Sequence, residues 1–267
     1  MRHLQARLAE RGYQRVFLTD QWNIIYFTGL FHTRTERMLH AFIPTDGEHP
    51  IWFYPPLDRD LICSWWYDDG DMYFDWLNVE GAAPQEGKVI RGPTQDLWRW
   101  ALGGLKRRGF AGKKLAADKE LVPSAQKAVV EVLGEPMASA ADDCLYFRER
   151  KTPEELALTR RAYAYFDRIH AIARDLILRH GTDLTDFEVG NAATKYGTDL
   201  IMADIKHDGR PHNAVGIVVE IQCRVGETTA YPHPNQFLYH QIQRGKALQW
   251  RGWCRSVGAE ASFIGRT

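Results

Sequence analysis

Apolar positions come in short runs through the first half of the chain and in longer helical spacings after residue 150. Residues 2–11 read as a short helix. Val16 to Leu18 form a buried strand that ends at Thr19-Asp20, and Asn23 to Phe27 read as a second short strand closed by Thr28-Gly29. Leu39–Ile43 and Ile51–Tyr54 are strands flanking an Asp46-Gly47 turn, a hairpin signal. From Thr94 to Arg108 the spacing of Leu97, Trp98, Ala101, Leu102 and Leu105 predicts a helix that Gly109 stops. Lys114–Ala117 is a strand, and Ser124 is expected to cap a helix running to about Leu133. Strands alternating with helices imply an α/β layer domain whose sheet is at least partly parallel.

The sharpest local signal is Thr152-Pro153-Glu154-Glu155, a capping box with proline at the first helical position. Leu156, Ala162, Phe166, Ile169, Ile172 (or Ala173) and Leu176 then recur at helical spacing as far as Gly181. Thr185-x-x-Glu188 repeats the capping box and starts a second helix, to about Tyr196. From Val215 the pattern turns to strands, at Gly216–Gln222, Thr228–Tyr231 and Ala247–Trp250. A domain boundary is therefore expected near Phe147–Lys151, giving domains 1–147 and 152–267.

Composition excludes several partners. The 267 residues carry 34 Lys plus Arg and 34 Asp plus Glu, so no net basic field favours nucleic acid or an anionic membrane surface. No apolar run approaches the roughly 18 residues of a membrane span, and Met1-Arg2-His3-Leu4 does not open a signal peptide. Cys63, Cys144, Cys223 and Cys254 form no CxxC pair or zinc knuckle. They read as reduced, mostly buried thiols of a cytoplasmic protein. Aromatic residues crowd the stretch from Trp52 to Trp76. A packed core with a sticky edge accounts for them, and a partner-facing surface or pocket wall is the alternative.

Four segments, in order, carry a family resemblance. Asn23-Ile24-Ile25-Tyr26-Phe27-Thr28-Gly29 resembles a strand of creatinase, prolidase and aminopeptidase P. Arg148-x-x-Lys151-Thr152-Pro153-x-Glu155 resembles the start of their catalytic domain, and Gly181-Thr182-x-x-Thr185-x-x-Glu188 the next turn and helix. Tyr231-Pro232-His233-Pro234 followed by Gln243-Arg244-Gly245 resembles the histidine segment and the lead-in to a ligand-bearing hairpin. The resemblance implies a creatinase-type N-terminal α/β domain followed by an incomplete α+β pita-bread domain. It implies a hydrolase of the Xaa-Pro peptidase type, cutting a C–N bond in a small peptide or amide. The family's usual cofactor is a pair of divalent ions (manganese, cobalt or zinc) held by two Asp, one His and two Glu.

This chain departs from that pattern. Aligned on Gly245, the first hairpin aspartate falls at Arg251; aligned on Arg266-Thr267, the second falls at Phe263. A cation at 251 would repel a metal pair. The later His and Glu ligands would lie beyond Thr267, so the expectation is a C-terminally truncated chain with no metal cofactor of its own. Two alternatives remain: a metal-free amidinohydrolase resembling creatinase, or a degenerate non-catalytic module for binding or dimerisation.

The resemblance makes His233, stiffened by flanking prolines, the candidate catalytic proton-transfer residue. Arg251, Glu260, His32 and Arg34 are the candidate substrate-binding residues. The loop holding His32, Arg34, Glu36 and Arg37 lies, in related N-terminal domains, near the partner subunit's active site, so a homodimer is expected. A solvated charged loop is the plainer reading there, as it is for His207, Asp208, His212 and Asn213. Asp20 and Asn23 are expected to shape a turn through side-chain-to-backbone bonds.

Overall fold

The computed structural model describes residues 1–32, 34–44, 49–73, 84–85, 88–89, 96–205, 217–231, 239–256 and 259–266. The chain divides into two compact units, Met1–Arg150 and Lys151–Thr267.

In the first unit, helix α1 (Arg2–Glu10) leads to strand β1 (Arg15–Leu18), helix α2 (Gln21–Thr28), and strands β2 (His40–Pro44) and β3 (Ile51–Tyr54). A short helix α3 (Arg59–Ser64) precedes strand β4 (Gly70–Met72), and a small ribbon pairs β5 (Pro84–Gln85) with β6 (Lys88–Val89). Helix α4 (Leu97–Arg107), strand β7 (Leu115–Ala117), helix α5 (Pro123–Leu133), strand β8 (Ala138–Ser139) and helix α6 (Ala141–Glu149) complete the unit. Six strands form one sheet in the order β4-β3-β2-β1-β7-β8. The pairs β3/β4, β1/β7 and β7/β8 are parallel, while β1/β2 and β2/β3 are antiparallel.

Both faces of this sheet are covered, which is why its strands read as unbroken apolar runs. Val16, Leu18, Ala41, Ile43, Trp52 and Tyr54 join Leu4, Leu8, Ile24 and Phe27 in one core. Phe17, Phe42, Ile51 and Phe53 join Leu102, Leu105, Val129 and Leu133 in the other. Each fully buried side chain of this size contributes about 1.5–3 kcal/mol relative to exposure. Much of the aromatic stretch is core: Trp52 and Phe53 are fully buried, and the Tyr73 hydroxyl donates to the Met38 carbonyl. Trp66 is exposed at the edge, with its indole donating to the Thr28 carbonyl. Phe74 and Trp76 lie outside the described residues.

Two local expectations are corrected here. Asn23–Phe27 is not a strand but the middle of α2. The Asp20 carboxylate accepts from the Trp22 and Asn23 amides and so caps a helix, which Gly29 closes in the left-handed conformation at φ 76°. Ser124 does not cap α5; Val122 holds the cap position and Pro123 the first turn, with no side-chain bond to the free amides.

In the second unit, helix α7 (Pro153–His180) and helix α8 (Asp186–Ala203) each begin with a complete capping box, at Thr152/Glu155 and Thr185/Glu188. Gly181 terminates α7, and α8 runs a further two turns beyond the expected end at Tyr196. Strands β9 (Val218–Val225), β10 (Leu248–Ser256) and β11 (Ala259–Arg266) form an antiparallel sheet in the order β11-β10-β9. Thr228–Tyr231, expected as a strand, lies in a 3-10 turn spanning Gly226–Ala230 and its cap. The Thr228 and Thr229 hydroxyls donate to the Val225 and Gly226 carbonyls, a local bonding pattern that competes with strand formation.

Helices α7 and α8 pack on one face of this sheet. Ala162, Phe166, Ile169, Val189, Ala193 and Ile201 meet Val219, Ile221, Cys223, Trp250 and Cys254. Gly190 permits the close approach of α8 to β9: a Cβ there would lie 2.9 Å from the Ile221 carbonyl oxygen.

Candidate functional site on the second sheet

The helix-covered face takes the odd positions of β9 and the even positions of β10, which leaves Glu220, Gln222, Arg224, Gln249, Arg251, Trp253 and Arg255 on the other face. The register pairs Arg224 with Gln249, Gln222 with Arg251, and Glu220 with Trp253. Side chains opposite one another on such a face have Cβ atoms about 5 Å apart, with diagonal neighbours at about 7–8 Å.

A polar chain runs along β9. Arg224 Nη2 donates to Gln222 Oε1 at 2.8 Å, and Gln222 Nε2 donates to Glu220 Oε1 at 3.0 Å. Arg224 Nη1 donates to the Tyr231 carbonyl. Arg224 is 5% exposed, and burial lowers its pKa, with repulsion from Arg251 lowering it further. Gln249 is likewise 5% exposed, and its Oε1 is buried without a hydrogen-bond partner. Beside these, Arg251 and Arg255 are partly buried.

The sequence-predicted site residues do not all gather here. Arg251 does. His233 lies outside the described residues, as do His207, Asp208, His212 and Asn213. Position 260 stands opposite Arg255 in the hairpin register. His32 and Arg34 belong to the first unit. There His32 is buried, with its carbonyl accepting from Gln21 Nε2 at 2.5 Å and its Nδ1 unpartnered, while Arg34 is exposed. The two expected hairpin ligand positions are also separated. Arg251 pairs with Ile264, whereas position 263 pairs with Gly252. Arg224, Glu220 and Gln249 were missed. The alternation Val219/Glu220/Ile221/Gln222/Cys223/Arg224/Val225 carried the signal, and it was used only to place a strand.

The described residues do not fit a pair of divalent ions. Among the described side chains of β9 and β10 on this face, Glu220 is the one carboxylate, set against Arg224, Arg251 and Arg255. Hard divalent ions take several converging carboxylate or imidazole ligands, and fixed guanidinium charge opposes them. Among the described residues, no group of three or more His, Cys, Asp or Glu could hold a metal ion. What the face can do is hold an anion, through planar donors suited to a carboxylate.

Two of the thiols are chemically quiet. Cys144 and Cys223 are buried, and burial pushes each up to about 12. No helix among the described residues is long and apolar enough to cross a membrane.

No family model matches the chain, and no curated protein matches it. Solved structures do. A recombinant prolidase from Thermococcus sibiricus superposes with a TM-score of 0.68 at 15% identity, covering 100% of this chain and 64% of that one. An X-Pro aminopeptidase from Thermotoga maritima gives 0.69 at 10% identity, over 99% of this chain and 64% of that one. A prolidase from Pyrococcus furiosus gives 0.62 at 15% identity, over 99% and 69%. The chain spans a little under two thirds of the length of the first two. The resemblance carried by Asn23–Gly29 and Arg148–Glu155 thus holds at the level of fold: the chain is built on the architecture of prolidases and X-Pro aminopeptidases.

Proposed function

We propose that this chain is a peptidase-type hydrolase relative that handles small peptides or amides through the hairpin of its second unit, with substrate charge rather than a metal pair at position 251. The observation that supports this reading is Arg251 on the face of the sheet opposite α7 and α8, in a fold whose structural neighbours are peptidases. Residues 1–147 would serve as the creatinase-type N-terminal domain and 152–267 as part of the pita-bread domain. His233 is assigned proton transfer, and Arg251, Glu260, His32 and Arg34 substrate contacts, the last two in a homodimer. Free thiols suit a reducing cytoplasmic setting.

The test is turnover of an Xaa-Pro dipeptide and of creatine by the purified chain, with and without chelator. Dipeptide cleavage that survives chelator and disappears in His233→Ala supports the reading. Creatine turnover under chelator would instead favour the creatinase-like alternative. Peptide binding with no turnover of either compound would favour the non-catalytic module.

A further inference from the structure

The stretch that carries His233 is tied down at both ends by buried ionisable side chains. At its start, Arg224 Nη1 donates to the Tyr231 carbonyl, and Nη2 is held by Gln222 Oε1 at 2.8 Å. At its end, Asp186 and His240 bond reciprocally. The Asp186 amide donates to the His240 carbonyl at 2.9 Å, and the His240 amide donates to the Asp186 carboxylate at 3.1 Å. The bridge between Thr185 and Gln241, and the Ile242 amide on the Leu184 carbonyl, extend that second tie. Arg224 is 5% exposed and Asp186 4%. The two ties lie close together: Asp186 is near enough to Cys223 to raise its pKa, and Arg224 is the next residue. Burying ionisable groups carries a desolvation cost that a plain surface connection does not need. The start of α8 does not explain it either, because Thr185 and Glu188 already cap that helix and Asp186 Oδ1 goes to His240.

Between the ties the sequence reads Pro232-His233-Pro234 and on to Tyr239. Tyr231 has the extended backbone, φ −94° and ψ 115°, that a following proline imposes, and the proline rings set φ at 232 and 234. His233 therefore follows a fixed carbonyl through a residue whose φ is already set. We infer that Arg224 and Asp186 are positioning residues: they fix the ends of the stretch that aims His233, acting through the backbone at Tyr231 and His240 rather than on substrate. A group that transfers a proton must be held in place by such supports. The inference deepens the function proposed above and rests on it for the proton-transfer role of His233. The hold on His233 is measured without turnover, so the two claims fail separately.

NMR relaxation of isotope-labelled histidine rings in the full chain tests it, with the His233 signal assigned by its loss in His233→Gln and the exposed His3 as internal reference. His233 should give a ring order parameter of about 0.8 or more in the native sequence. Arg224→Met and Asp186→Ala should each lower it below about 0.6, with His3 unchanged and a thermal melt showing a folded chain. Asp186→Asn keeps an oxygen for the His240 amide and should restore the native value. A native His233 value below about 0.6 overturns the inference with no variant needed. An unchanged value in the two loosening variants overturns it as well. Turnover of an Xaa-Pro dipeptide is followed in the same samples. Where it occurs, the loosened variants should lose about tenfold or more in kcat with KM within about twofold; an undiminished kcat overturns the inference. A rigid His233 that both variants loosen, without turnover, removes the hydrolase reading and leaves the positioning.

Discussion

Single residues do much of the work of joining distant segments, and Asp118 is the clearest case. From the end of β7 its buried carboxylate accepts from the Thr19 amide and hydroxyl, the Asp20 amide and Asn23 Nδ2, at 2.9–3.1 Å. Asn23 Oδ1 in turn accepts from Arg148 Nη1. Sequence reading assigned Asp20 and Asn23 to a turn but passed over Asp118, because its partners lie about a hundred positions away and no local pattern marks it. Asp118→Ala leaves those donors buried and unmet, and should cost about 3 kcal/mol or more, seen as a lower urea midpoint. His40 supplies a pH dependence. Its enclosed, unpartnered Nδ1 lies among Phe17 and Trp98, and burial, with Lys119 and His32 adding repulsion, pushes its pKa down to about 3. Burial lowers His32 as well. A histidine with a depressed folded pKa takes up its proton more readily when unfolded. Stability is therefore full above about pH 6.5 and falls as pH drops toward 3, by up to about 1.4 kcal/mol per pH unit for His40. Denaturant melts between pH 4 and 7 should show that slope, and His40→Phe should flatten it; an unchanged slope would contradict the burial argument.

Elements were legible where local chemistry and tertiary packing agree. Both capping boxes were readable because Thr and Glu three positions apart satisfy amides within one turn. Thr152→Ala should therefore cost about 1 kcal/mol. The helix α2 was misread because Ile24, Ile25, Tyr26 and Phe27 are apolar on successive positions, which fits a buried strand as well as a short helix packed on several sides. Hairpin register was not legible in the sequence. Counting from Gly245 and from Arg266 placed the two expected ligand positions at Arg251 and Phe263, and the ladder pairs Arg251 with Ile264 and Gly252 with position 263. A shift of one residue reverses the pleat, and sequence spacing alone does not fix it. The contact of α8 with β9 is testable at Gly190. Gly190→Ala places a methyl group 2.9 Å from the Ile221 carbonyl and 3.4 Å from the Cys223 amide nitrogen. It should destabilise the second unit by about 1–3 kcal/mol in a thermal melt. Gly103→Ala, whose new methyl would meet only an Arg107 side-chain end at 3.6 Å, should cost far less.

At the scale of the whole molecule, each unit carries its own core, the first around its six-stranded sheet and the second between α7, α8 and its three strands. Residues 1–150 should therefore fold alone and melt cooperatively; a broad melt with strong binding of an apolar-surface dye would contradict this. The homodimer proposed from the His32–Arg34 loop should appear as a dimer in sedimentation at tens of micromolar, and a monomer there would remove it. The proposed function turns on Arg251 standing where the family resemblance leads one to expect a metal ligand. Titration calorimetry with manganese, cobalt and zinc, paired with elemental analysis of the purified chain, tests it most directly. The expected result is no tight pair of ions. Two equivalents held at about micromolar affinity or better, and lost on substituting His233 or Glu260, would contradict it.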